Sequence, residues 1–332
     1  MSLIDSKEES TLLSHIVDGL GAAIRAEDVS LGANSSSEFR QVRDIRTNKL
    51  VLEAVDEVDL PIFRSWFRYG ECITNRSALG NKVNWEPLDG AEESEDATEI
   101  HKNAKSKGWY RDFFIDSVEI GGKIGVSEIC ELDIDEFLRQ AYEKAPGEHK
   151  EVYMANLEVQ ELLREVAFDD SWHAQSPDGD FYQDVWDATR RLQDEIIIHP
   201  QMPPTDAKLV SEYLRLVRRA VAGVCATSET ETNDLHDTLS ELAHKYHDPV
   251  WRLPALRISS LTGKGRDHDG KEKKYENQAD EVQQEDVRSG LQQIRHNLRK
   301  VDILSQSRNN WTLSNEDLRE QTRSTEDALL SQ

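Results

Sequence analysis

Cysteine is scarce in this chain: it occurs three times in 332 residues, as Cys72, Cys130 and Cys225. Three widely separated cysteines provide neither an even-numbered disulfide framework nor a pair of closely spaced zinc ligands. The sequence therefore predicts three small buried side chains in a reducing compartment, with no disulfide and no zinc site built on cysteine.

Long apolar runs are also lacking. Residues 1–9 are polar and net acidic, without the basic start and apolar stretch of a secretory signal. No apolar run approaches the roughly 20 residues that a transmembrane helix needs. We therefore predict a cytoplasmic protein without a membrane partner.

Basic residues are outnumbered, because 40 lysines and arginines stand against 64 aspartates and glutamates, a formal net charge of −24. A carboxylate-rich surface stays soluble when molar salt shortens the Debye length to about 3 Å. In overall character the chain resembles the uncharacterised acidic proteins common in halophilic archaea, which are domains of unknown function. The resemblance implies adaptation to high salt but points to no characterised family, so no functional residue carries over. An ordinary acidic protein that its charge keeps soluble is the alternative.

Helical periodicity recurs along the chain, and strand patterns are few. The pairs Ser6 with Glu9 and Asp133 with Glu136 have the spacing of capping boxes at helix starts. Gly121 and Gly122 interrupt an apolar stretch and are typical of a turn between short strands. The predicted fold is mainly α, a multi-helix protein with two helical portions and at most a small hairpin or short strands.

The strongest boundary signal is the segment 199–204, where Pro200, Pro203 and Pro204 cannot all lie inside a helix. We predict an N-terminal helical domain over 1–199. A helical hairpin followed by a long helix is expected over 200–311, and a mobile tail over 312–332.

The segment 63–70 concentrates aromatic residues and arginines. Asp59, Pro61 and Gly70 are typical of the start and end of a short helix. In such a helix Phe63, Trp66 and Phe67 share one face, which favours a role in the core. Contact of the rings with nucleic-acid bases is the alternative, so the sequence leaves open whether this segment is core or site.

Carboxylates cluster near the middle of the chain, and the candidates for a metal site there are Asp169, Asp170, His173 and Asp180. Converging carboxylates are what a metal-dependent hydrolase requires. Such clusters also arise by chance in a chain this acidic. The sequence contains no established catalytic motif, identifies no catalytic residue and no cofactor, and favours a protein that is not an enzyme.

The stretch 251–311 departs from the acidity of the rest, with 12 bases and 9 acids, a net charge of +3. A heptad seam there consists of Val287, Leu291, Ile294, Leu298 and Val301. Arg288, Arg295 and Arg299 recur on the same helix. These features predict a non-enzymatic interaction or regulatory protein that binds a protein partner, or a second copy of itself, through its C-terminal helices. Two alternatives are open: the stretch contacts the acidic body of the same chain, or the protein is nucleic-acid-associated and uses the same arginines.

Overall fold

Helices dominate the part of the chain that the computed structural model describes, namely residues 6–32, 42–62, 64–73, 102–145, 147–169, 179–225, 233–258, 261–262, 284–301 and 303. The helices are α1 (Ser6–Glu27), α2 (Val42–Glu57), α3 (Lys107–Asp116), α4 (Gly125–Glu131), α5 (Ile134–Glu143), α6 (Gly147–Phe168), α7 (Asp180–Ile198), α8 (Pro204–Cys225), α9 (Asn233–Lys245), α10 (Arg252–Ile258) and α11 (Gln284–Lys300). A π-helical turn, Tyr246–Val250, joins α9 to α10. The mainly α prediction is confirmed.

The described strands are short. β1 (Arg64–Phe67) and β2 (Gly70–Ile73) form an antiparallel hairpin, and β5 (Leu261–Thr262) pairs with β1 on the other side. A second hairpin joins β3 (Glu119–Ile120) to β4 (Lys123–Ile124) through Gly121 and Gly122. Both glycines have positive φ, 61° and 75°, a conformation that glycine adopts without the steric penalty of a Cβ. The turn predicted at these glycines is therefore confirmed.

The segment 63–70 corrects a prediction, because its described residues, 64–70, form strand β1 and the turn into β2 instead of a short helix. Asp59 does not cap a following helix; it has φ 52° and lies two residues beyond the end of α2. Trp66 is nevertheless a core residue, 4% exposed, with its ring centroid 4.8 Å from that of His149 and 5.5 Å from that of Tyr153. Phe63 lies outside the described residues.

Helix α2 covers the outer edge of strand β2. The Lys49 ammonium donates to the carbonyl oxygen of Glu71 at 2.6 Å, and the Asn48 side-chain oxygen accepts from the amide of Ile73 at 3.1 Å. These two side chains satisfy backbone groups that a neighbouring strand would otherwise pair with. The hairpin is thereby fixed to the helical body.

Another buried cation holds the N-terminal helices together. The Arg46 guanidinium is fully buried and donates to the carbonyl oxygens of Leu31, Cys130 and Leu132. Its carbon also lies 5.7 Å from the centroid of the Phe137 ring. Hydrogen bonds to the last carbonyls of α4 take the place of a helix cap. At the next helix, Asp133 is the N-cap of α5, as the sequence predicts, but its carboxylate accepts from the amide of Asp135, the second residue of the helix, and not from the third amide as in a capping box.

The predicted boundary at 199–204 coincides with the connection between α7 and α8. These two helices pack against each other, and one cluster of buried apolar side chains includes residues from both sides of the connection. The division into 1–199 and 200–311 stays a proposal, and the tail at 312–332 lies outside the described residues. No helix among the described residues combines the length and apolarity needed to cross a bilayer.

Candidate functional site

The heptad seam of α11 is used within the chain. Four of its five residues, Val287, Leu291, Ile294 and Leu298, are each at most 2% exposed, whereas Val301 is half-buried. Helix α11 packs against α8, α9 and the π-helical turn. Burying these four aliphatic side chains stabilises the docked helix by the hydrophobic effect. A partner cannot contact the seam while α11 is docked, so any partner must bind a different face.

Polar contacts on both sides of the seam show where α11 lies. On one side Glu241 of α9 accepts hydrogen bonds from the side-chain amides of Gln293 and Asn297. On the other side Arg295 contacts Glu212 of α8 at 3.4 Å. Helix α11 therefore lies in the groove between α8 and α9.

Helices α8 and α11 run parallel to each other. Arg295 of α11 contacts Glu212 in the first half of α8. Ile303, which follows α11, lies beside Gly223 near the end of α8. A Cβ atom at Gly223 would be 2.5 Å from both the backbone oxygen and a side-chain carbon of Ile303, so glycine is what permits this close approach. The register places the residues that follow Glu212 on α8 alongside those that follow Arg295 on α11.

This register extends the predicted arginine stripe onto a second helix. The solvent face of α8 carries Lys208, Arg215 and Arg219, all exposed, on the same side as the half-buried Glu212. Positions four, three and four residues apart lie on one helix face. We call the exposed or half-exposed bases on the adjoining faces of the two helices the basic patch; it consists of Lys208, Arg215, Arg219, Arg288, Arg295 and Arg299.

The three arginines predicted from the sequence all lie at the surface. The Arg288 side chain is 49% exposed and 3.8 Å from Glu285, and the Arg295 side chain is 41% exposed and 3.4 Å from Glu212. Arg299 is also exposed. Exposed ion pairs of this kind contribute little to stability, typically below about 1 kcal/mol. The arginines can therefore exchange these contacts for those of a partner at little energetic cost.

Lys208, Arg215 and Arg219 were missed by sequence reasoning. Their spacing on one face of α8 can be read in the sequence. Their relation to α11 cannot, because it depends on how the two helices pack. The complete patch can be recognised only when the contact between Arg295 and Glu212 is known.

The carboxylate candidates are only partly described. Asp169 directly follows α6 and Asp180 begins α7, and both are exposed. Burial, together with the nearby charges of Asp169 and Asp184, raises the pKa of the Glu165 carboxyl, so Asp169 has carboxylate neighbours. Asp170 and His173 lie outside the described residues. Within the residues that are described, no group of three or more histidine, cysteine or carboxylate side chains is arranged to hold a metal. The four-residue metal site remains a prediction.

Comparison with protein families gives a match over nearly the entire chain. The family is described as a domain of unknown function (DUF8098), and its model matches residues 1–112 and 96–330. No curated protein and no solved structure matches the sequence. The function must therefore be inferred from the chain's own residues.

Proposed function

Because the chain belongs to the DUF8098 family of domains of unknown function, we propose its function from the basic patch: a non-enzymatic protein-binding domain that docks an acidic segment of a partner protein. The partner segment contacts Arg288, Arg295 and Arg299 on α11 and the bases beside them on α8. The helical body holds these side chains in place.

The observation that carries this proposal is the local reversal of charge. The chain has a net charge of −24. Between Asp286 and Asp302, however, the sequence contains four bases and no carboxylate. In the structure a second row of bases on α8 adjoins them. Arginine guanidinium groups bind carboxylates through two parallel hydrogen bonds, which adds geometric specificity to the charge attraction.

The size of the patch favours a protein over a nucleic acid. From Arg288 to Arg299 the helix rises about 16 Å, which matches about five base pairs of a duplex. A longer duplex would continue over surfaces of a strongly acidic chain, where its phosphates are repelled. A short segment with a few carboxylates contacts the patch alone.

The proposal is tested by reversing charge on the patch. Arg288→Glu with Arg299→Glu changes the local charge by four while leaving the buried seam intact. The probe is a fluorescent peptide of about 20 residues, half of them glutamate, followed by fluorescence anisotropy at low salt. We expect wild-type protein to bind it and the double variant to bind at least about tenfold more weakly, a loss of about 1.4 kcal/mol.

Lys107→Glu with Arg111→Glu is the matched control. Both bases are on α3, with side chains 38% and 48% exposed, and this pair gives the same change in net charge on a helix that packs against α1 and α4. We expect the control to bind the peptide about as wild type does. Equal losses in the two double variants would show that only net charge matters and would contradict the proposal.

A duplex of 20 base pairs forms the second arm of the test. Tighter binding of the duplex than of the peptide, lost in Arg288→Glu with Arg299→Glu, would replace the proposal with the nucleic-acid alternative. Light scattering distinguishes the partner: a dimer that this variant dissociates would identify the partner as a second copy of the chain, and a monomer would point to a different protein.

A further inference from the structure

The tip of the β1–β2 hairpin contacts the π-helical turn through two consecutive residues on each side. Arg68 forms an ion pair with Asp248 at 2.6 Å, and the Tyr69 hydroxyl is hydrogen-bonded to His247 Nε2 at 2.9 Å. The indole N–H of Trp251 donates to the Arg68 carbonyl oxygen at 2.9 Å. The tip is thus held against a segment about 180 residues away in the sequence.

A second arginine joins this contact from the first turn of α10. Arg252 lies 3.9 Å from Asp248, so one carboxylate serves two guanidinium groups. The side chains of Arg68, Arg252 and Asp248 are 19%, 36% and 47% exposed. The two arginines together carry one positive charge more than the carboxylate that they share. This excess occurs in a chain whose acids outnumber its bases by 24.

We propose that this cluster, formed by Arg68, Tyr69, His247, Asp248 and Arg252, is a binding site for a phosphate group. Guanidinium groups present planar pairs of N–H donors that match phosphate oxygens. Arg252 reaches the site from its exposed rim, and Arg68 reaches it from the hairpin. Asp248 is the internal carboxylate that holds the two arginines together until phosphate binds.

The Tyr69–His247 pair supplies a further donor for the anion. A tyrosine hydroxyl donates one hydrogen bond and accepts another. When His247 Nε2 carries the proton and donates to the Tyr69 oxygen, the hydroxyl proton is directed to phosphate. Tyr69 and His247 directly adjoin Arg68 and Asp248 in the chain, so in this tautomer the pair adds a neutral donor to the two charged ones, which suits an anion with several acceptor oxygens.

The test is a calorimetric titration of the full chain with inorganic phosphate, in which sodium chloride is reduced to keep the ionic strength constant. We expect saturable binding with a Kd of about 1 mM or below. Arg252→Gln and Tyr69→Phe should each weaken binding by about tenfold. Arg190→Gln, an exposed arginine on α7, is the matched control and should bind as wild type does.

Asp248→Asn separates a binding site from a purely structural clamp. If Asp248 competes with phosphate for the two arginines, its replacement by the neutral amide strengthens phosphate binding severalfold. If the cluster only clamps the hairpin, the same change gives no gain, and this result overturns the proposal. The absence of saturable binding to wild type up to about 20 mM phosphate overturns it as well.

Phenyl phosphate, titrated in parallel, distinguishes the two sources of the phosphate group. Tighter binding of this monoester than of inorganic phosphate would assign phosphorylated organic molecules as ligands, whereas equal binding would assign the free anion. Because the cluster shares no residue with the basic patch, Arg288→Glu with Arg299→Glu should leave phosphate binding unchanged. Failure of either proposal therefore leaves the other unaffected.

Discussion

Folding buries the ammonium group of Lys49 and so changes its ionisation. Its side chain is 8% exposed, donates to the Glu71 carbonyl at 2.6 Å, and has its nitrogen 5.8 Å from the centroid of the Tyr142 ring. Burial lowers the pKa of the Lys49 ammonium to about 8, although Cys72, Glu71 and Glu53 act in the opposite direction. Such a cation is tolerated because its hydrogen bond secures the edge of β2.

Replacing Lys49 by methionine tests the cost of this buried charge. A lysine pKa of about 8 in the fold, against 10.5 ordinarily, corresponds to roughly 3 kcal/mol of destabilisation at neutral pH. Methionine removes that cost and loses one hydrogen bond of roughly 1 kcal/mol. We expect Lys49→Met to raise the free energy of unfolding at pH 7 by about 1–2 kcal/mol in urea titrations.

The pH dependence of stability provides an independent readout for Lys49. Between pH 8 and 10.5 the unfolded chain binds more protons at this lysine than the folded chain does, so the wild-type contribution to stability increases with pH. Lys49→Met should lack this increase. Lys107→Met, at a lysine whose side chain is 38% exposed, is the matched control and should retain it. A Lys49→Met protein that is less stable than wild type at pH 7, with an unchanged pH slope, would refute the interpretation.

Helices and the hairpin differ in how far their sequences predict them. The seam of α11 and the cap of α5 follow local spacing, so both could be predicted. The segment 63–70 could not, because the spacing of three and four residues between its aromatic side chains is that of a helix, and periodicity over so short a run does not exclude a strand. Pairing of Arg64 with Ile73 and with Thr262 decides the outcome, and these partners are 9 and 198 residues away. Packing likewise decides which bases of α8 adjoin those of α11.

The docking of α11 is tested by shortening one seam residue. Ile294 is fully buried at the centre of the seam, and Ile294→Ala should lower the free energy of unfolding by about 2–4 kcal/mol. Gln292→Ala, at an exposed position of the same helix, should change it by less than about 0.5 kcal/mol. Trypsin should also cleave at Arg295 and Arg299 faster in Ile294→Ala than in wild type. Equal urea midpoints and equal cleavage rates for the two variants would show that the seam does not hold α11 in place.

At the scale of the whole molecule, the net charge of −24 makes self-repulsion among carboxylates a destabilising term. Raising sodium chloride from about 0.1 M to 1 M shortens the Debye length from about 10 Å to 3 Å and screens this repulsion. Salt also weakens favourable ion pairs, but this loss of stability is small because exposed pairs contribute little. In the pair of Lys300 with Asp234, for example, the side chains are 68% and 67% exposed. We expect the Tm at pH 7 to rise by about 5 °C over this range in thermal scans.

The same scans near pH 4.8, where the net charge of the sequence is close to zero, separate the screening of charges from general effects of salt on apolar burial. A much smaller rise there supports self-repulsion. An equal rise, or a Tm that falls with salt at pH 7, would contradict both this account and the prediction of adaptation to high salt.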